Sequence, residues 1–196
     1  MTAREHPIIF SASMIRALLA GRKTQTRRLA SSPLAKVEAG DRFWVRESFR
    51  GARGYDAIRP KDWGNKPIWY EADGEPDKAR WWHLSDKARP AIHMPRWASR
   101  LTLEVTAVRV ELLQEISEAD ARAEGLKKLS KDQGRTWKWG VPEADGVPGK
   151  DGQVWTDWNV DPRKAFAALW DSLHTKPGTR WEDNPAVAAI AFKVLP

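Results

Sequence analysis

The segment Leu101 to Leu112, LTLEVTAVRVEL, most constrains what this chain can fold into. Leu101, Leu103 and Val105 alternate with Thr102, Glu104 and Thr106, the two-residue period of a half-buried strand. Val108, Val110 and Leu112 resume the alternation after a one-residue slip, which a bulge near Ala107 would produce. Further short strands surround it. Ile8 to Phe10 is a short apolar run. Arg42 to Phe49 alternates Phe43, Val45 and Glu47 against Trp44, Arg46 and Ser48, behind a turn signal at Gly40-Asp41. Ile68 to Glu71 fits another strand. After Asn184-Pro185, Ala188, Ile190, Phe192 and Val194 face one way, and Ala189, Ala191 and Lys193 the other. The strands and helices follow one another without a recurring βαβ unit. The expected class is α+β: a small, partly open β-barrel with a few packed helices and long loop insertions.

Three helices are readable. Met14, Ile15, Leu18 and Leu19 share one face of a short helix that Ser11 or Ser13 can cap, and Gly21 suits the left-handed position past its end. Ile116 to Leu126 holds a second, capped by Ser117, with Asp120 at the capping-box position and Gly125 as the stop. Asp161-Pro162 opens a third, whose apolar face is Phe166, Leu169, Trp170 and Leu173 and which Lys176-Pro177-Gly178 breaks. Between Gly21 and the first turn lies a dense polar cluster, Arg22 to Arg28. Its spacing alone reads as a solvated basic loop.

At 196 residues, with 41% hydrophobic and 30% charged residues, the chain fits one globular domain, residues 1–196, with insertions at about 50–95 and 127–160. The absence of cysteine excludes disulfides and thiolate metal sites. The first ten residues lack a signal-peptide core, and no apolar run approaches a membrane span, so a cytoplasmic, soluble protein without membrane contact is expected. A monomer is expected. The net charge of +7 suits anionic partners such as nucleic acid or phosphorylated small molecules, and equally suits simple solubility. Twelve tryptophans are the other anomaly. Trp44, Trp97, Trp170 and Trp181 are expected in the core. Those in Gly/Pro-rich stretches are expected mostly to pin loops, or else to offer stacking surface to bases.

The string Ala20-Gly21-Arg22-Lys23-Thr24-Gln25-Thr26-Arg27-Arg28, then Gly40-Asp41 before a strand, the strand from Leu101, the helix ending Ala123-Glu124-Gly125 and a closing strand together resemble the ASCH family of the PUA-like superfamily. The likeness spans most of the chain outside the two insertions. The His93-Met94-Pro95-Arg96-Trp97 segment and Asn184-Pro185 resemble ASCH proteins of phages and metagenomes. In motif the chain is similar to the bacterial branch that removes acyl groups from N4-acylated cytidine. That branch uses a lysine, a threonine and a glutamate, which the resemblance carries onto Lys23, Thr26 and Glu124. It implies a metal-free amidohydrolase without cofactor, acting on a modified nucleoside. Phe10, Ser11, Arg22, Arg28, His93 and Trp97 are the expected substrate-binding residues. Other family members are thought to bind or process RNA, so an RNA-binding module without amidase activity is the alternative.

In that chemistry Lys23 would deprotonate Thr26, helped by burial and by Arg22, Arg27 and Arg28, and Glu124 would steady the ammonium. Backbone N–H groups after Gly21, or Arg28, are candidate oxyanion donors. A carboxylate at a helix C-terminus, as Glu124 is, opposes the helix dipole, which points to something else holding it. The zinc route of nucleobase deaminases lacks its residues: there is no His-x-Glu pair, and His6, His83, His93 and His174 are isolated. The 127–160 insertion is a candidate lid for larger acyl groups.

Overall fold

The computed structural model describes residues 3–143, 145–149 and 152–196. Part of the expected insertion, residues 144, 150 and 151, and the first two residues of the chain lie outside the described residues. The long strand is β6, Thr102–Leu112, and it is the centre of a five-stranded mixed sheet. The others are β1 (Glu5–Ile9), β2 (Gln25–Leu29), β3 (Arg42–Arg46) and β9 (Ala186–Val194), in the order β1-β3-β6-β9-β2. β1 and β3 run parallel; every other pair is antiparallel. The register against β9 shifts between Val105 and Ala107, where the sequence slips phase. Two short pairs lie outside this sheet: β4 (Phe49–Arg50) with β5 (Trp69–Tyr70), and β7 (Lys127–Leu129) with β8 (Lys138–Gly140). The helices are α1 (Ala12–Leu19), α2 (Glu118–Ala123) and α3 (Pro162–Leu173). The mixed sheet with few helices is α+β. Among the described residues no ladder joins β1 to β2, so the sheet is not hydrogen-bonded into a closed barrel.

The caps are those the sequence names. Ser11 accepts from Met14 N, Ser117 from Asp120 N and Asp161 from Arg163 N. The core packs Ile8, Ile15, Leu18, Phe43, Val45, Leu103, Val105, Ile190 and Phe192 between sheet and helices. Four expectations fail on burial. Leu19 and Leu173 are exposed, because each lies at the end of its helix beyond the covered face. Beyond the bulge Val108 still packs against the core, but the apolar side of β6 then opens, with Val110 67% exposed. Trp44, Trp97 and Trp181 are only half-buried, and of the four expected core tryptophans Trp170 alone is fully buried. The segment Lys23–Arg27 is no solvated loop: Lys23, Gln25, Thr26 and Arg27 are all buried.

Two loop tryptophans are buried instead, and they anchor the insertions. Trp63 joins Phe49, Met94 and Ala98 in a second small core and donates to Ile58 O at 3.1 Å. Trp158 is buried under the β7–β8 region and donates to Gln153 O at 3.0 Å. A Cβ at Gly140 would sit 2.3 Å from the Trp158 ring, so this contact requires glycine.

Asp41, at the turn the sequence marks, ties β1 to β3. It accepts from Arg4 N and Nη2 at 3.1 and 2.8 Å and from Glu38 N at 3.0 Å. The Arg4 guanidinium and these N–H groups hold its carboxyl down from 3.8 to about 2. A depressed carboxylate pKa stabilises the fold above pH 3.8, and the contribution is lost as pH falls through about 2. Asp41→Asn is therefore expected to lower unfolding free energy at neutral pH by roughly 1.5–3 kcal/mol, the range for bonds to charged groups. Urea titrations over an acid series should show this gap narrowing towards pH 2; a constant gap would count against the assignment.

Candidate functional site

The site begins at the end of α1. Gly21, at φ +69°, turns the chain so that Arg22 N and Lys23 N both donate to Ala17 O, at 2.9 and 3.1 Å. Thr24 N then donates to Ala123 O at 2.9 Å, and Lys23 and Glu124 form a one-residue antiparallel bridge. Gly125, at φ +107°, lets the end of α2 approach: a Cβ there would stand 2.9 Å from Ala17 Cβ and 3.2 Å from Lys23 Cβ. Two glycine-stopped helices are thus joined back to back, and β2 starts from the joint.

The joint carries a buried ionic cluster. Lys23 Nζ donates to Glu124 Oε2 at 3.0 Å, and to Glu124 O and Gln25 O at 2.9 Å each. Both partners of this pair are 3% exposed. The other Glu124 oxygen, Oε1, accepts from Arg27 Nη1 at 3.0 Å. Arg27 also donates through Nε to Glu111 Oε1 at 3.1 Å and lies 3.5 Å from Asp120 Oδ2. Arg109 bridges Glu111 and Asp120. Lys23, Arg27 and Arg109 are thereby matched by Glu111, Asp120 and Glu124. Asp120 does not complete a capping box; its carboxylate turns to the two arginines. Burial pushes the Lys23 pKa down, Glu124 opposes that, and Arg28 and Arg27 add to it.

Arg28 stands outside this balance. Its Nη1 donates to Thr26 Oγ1 at 3.2 Å and its Nη2 to Ile9 O at 3.3 Å, across the gap between β2 and β1. Among the described residues it makes no salt bridge. Burial lowers its pKa, as expected for a cation in a recess, and the nearby Glu124 opposes that. The guanidinium and Lys23 Nζ both lie over the Phe10 ring, at 5.4 and 5.3 Å.

These groups open onto a cavity of about 380 Å³. Of the residues predicted from sequence, Phe10, Ser11, Lys23, Thr26, Arg28 and Glu124 line it together. Arg22, His93 and Trp97 do not. Arg22 is half-buried beside the joint, His93 is exposed at a separate depression with Asp56 and Arg89, and Trp97 packs on the second core. No hydrogen bond joins Lys23 to Thr26. None of the described residues of the 127–160 insertion lines the cavity either. Its far wall is α3, through Phe166, Leu169, Trp170 and Leu173. From sequence those four read as the apolar face of a helix, with Trp170 in the core, and not as part of a site. The signal was available in part, since Leu173 ends an apolar stripe that runs one turn past its cover. Arg27 was named only as a neighbouring charge, although the strand period puts it on the same side as the buried Gln25.

No family model and no curated protein sequence matches the chain. Two solved structures are similar to it. One is a protein of Enterococcus faecalis V583 placed in the family DUF984, at TM-score 0.44 and 11% identity, covering 100% of this chain and 82% of that one. The other is an ASCH domain from Lactobacillus crispatus JV V101, at TM-score 0.41 and 13% identity, covering 97% of this chain and 79% of that one.

Arg27 is the member of the cluster whose loss is expected to cost most. Arg27→Met would leave Glu124 with one cation and Glu111 with less, and removing one partner of a buried pair typically costs about 3–5 kcal/mol. Chemical denaturation of the variant should show a loss of that order. A loss below about 1 kcal/mol, the level of a surface pair, would reject the role.

Proposed function

We propose that this cavity is the active site of an amidohydrolase that removes the acyl group from N4-acylated cytosine nucleosides, with Thr26 as nucleophile, Lys23 as base and Glu124 as its partner. The observation that carries the reading is the convergence of Lys23, Thr26 and Glu124, 101 positions apart at their extremes, on one recess. The volume also falls in the usual range of about 300–1,000 Å³ for small-molecule sites.

The chemistry follows from the environment of each group. At rest Lys23 has three acceptors, the pattern of an ammonium. Desolvation and two neighbouring arginines ease the loss of its proton. Neutral Lys23, its Nζ swung from Gln25 O towards Thr26, takes the hydroxyl proton as Oγ1 attacks the acyl carbonyl carbon. Arg28, which makes no salt bridge among the described residues, is the candidate to hold the oxyanion. Collapse breaks the C–N4 bond, and the Lys23 ammonium protonates N4 as cytidine leaves. Water, deprotonated by the same lysine, then attacks the acyl-threonine; the ester C–Oγ1 bond breaks, the lysine returns the proton to Thr26 Oγ1, and the acid is freed. Glu124 keeps the lysine on station throughout.

Incubation with N4-acetylcytidine should release cytidine, with or without a chelator. Thr26→Ala and Lys23→Arg should each lower kcat by about 100-fold or more, the second because arginine does not deprotonate. The rate of the wild-type protein should rise with pH, since the neutral lysine is the active form. Absence of release, or full activity of either variant, would reject the reading.

A second reading, binding of single-stranded RNA, is favoured by one observation. Lys128 lies over the Trp137 and Trp139 rings, at 5.2 and 5.8 Å, and Lys131 and Lys138 both lie 4.9 Å from Trp155. Cations interleaved with aromatic faces suit stacked bases and a phosphate backbone. Retention of an oligouridine at low salt, lost steeply as salt rises, would support it. No retention at low salt would remove it.

A further inference from the structure

The cavity has two unlike sides. Ser11, Ser48, Thr26 and Arg28 supply polar atoms on one. The other is α3, with Phe166, Leu169, Trp170 and Leu173; Ile9, at the end of β1, borders the cavity where its carbonyl accepts from Arg28. The polar atoms of that wall are mostly engaged. Trp170 Nε1 donates to Thr179 O at 2.8 Å, and His174, stacked on the Trp170 ring at 3.8 Å, has Nδ1 at 3.0 Å from Trp170 O. Among the described residues this leaves His174 Nε2 as the wall's free side-chain polar atom. A cytosine ring and ribose need several hydrogen-bond partners, and that wall does not supply them; a hydrocarbon needs none. Two large apolar side chains that border the cavity are also left in the open, Leu173 at 67% and Ile9 at 47% exposure. A bound apolar group would cover them.

We infer that the Leu169–Leu173 face of α3 is an acyl-binding wall, and that the cavity prefers bulky apolar acyl groups, branched or aromatic, over acetyl. This rests on the amidohydrolase reading for its chemistry, but the wall's preference can be measured without turnover. The base and sugar take the polar side, which puts the carbonyl between Thr26 and Arg28 and the acyl chain against α3.

The experiment has two arms. In the first, kcat/KM is compared for N4-acetylcytidine and N4-benzoylcytidine. The benzoyl substrate is expected to be favoured at least tenfold, and Leu173→Asp and Leu169→Ala are each expected to cut that ratio severalfold. Val110→Asp, on the open outer face of the sheet, serves as the charge control and should leave the ratio where it was. In the second arm, calorimetry on the Thr26→Ala protein should show N4-benzoylcytidine binding at least tenfold more tightly than cytidine, with the gap reduced by Leu173→Asp. A faster acetyl substrate, or α3 variants that leave both ratios unchanged, would overturn the acyl wall. Retained benzoyl preference in binding without turnover of either substrate would support the wall and overturn the amidohydrolase reading instead. Neither turnover nor preference would overturn both.

Discussion

Glu124 is a carboxylate taken almost wholly out of water, and the structure around it is arranged to make that tolerable. One oxygen meets the Lys23 ammonium and the other the Arg27 guanidinium. An unpaired charge in that position would be strongly unfavourable, and pairing repays the desolvation only when the geometry is close and the remaining donors are satisfied. Here they are. Lys23 has three acceptors, and Arg27 extends to Glu111 and Asp120, which Arg109 closes from outside. The cluster joins the end of α1, the strand β2, the strand β6 and the helix α2. It therefore adds an ionic tie to elements that also meet in the apolar core, and it holds Lys23 in the lining of the recess beside Thr26.

The recess exists because the sheet stops short of closure. β1 and β2 are its two edges, and Arg28 reaches from one to the carbonyl of Ile9 at the end of the other. Where a ladder would have filled the gap, side chains line a cavity, and α3 covers it from the far side. Arg28 is the one cation there without a carboxylate in salt-bridge reach among the described residues. Its charge is available to whatever enters. The insertions take a different part. Trp63 and Trp158 fasten them to the body through ring burial and an indole hydrogen bond to a backbone carbonyl. That is how long connections in a small domain avoid leaving their backbone adrift.

Much of this was legible beforehand because it is local. A helix begins where a serine or aspartate can accept from the backbone N–H two or three residues on, so Ser11, Ser117 and Asp161 announced their helices. It ends where a residue must take positive φ, so Gly21 and Gly125 announced the stops. The bulge in β6 showed as a slip in the two-residue period, because one extra residue moves every later side chain to the opposite face. The odd position of Glu124, a carboxylate at a helix C-terminus, also carried information. The dipole argument asked what held it, and Lys23 and Arg27 are the answer.

What the sequence by itself determined, then, is the three helices with their caps and stops, and the strands that show a two-residue period or an apolar run; β2, β7 and β8, which are polar and short, were not among them. Those follow from sterics and hydrogen bonds within a few residues. Which face is covered was decided only by the tertiary structure. Val110 shows the same two-residue alternation as Val105, yet lies open, because the core that still reaches Val108 does not extend to Val110. Lys23 and Arg27 belong to a string that alone would be solvated; they are buried because their carboxylates, 84 to 101 positions later, arrive with β6 and α2. The wall of the cavity is α3 and not the insertion for the same reason. A charge or a cavity is defined by its partners, and those partners come from parts of the chain that only the fold brings together.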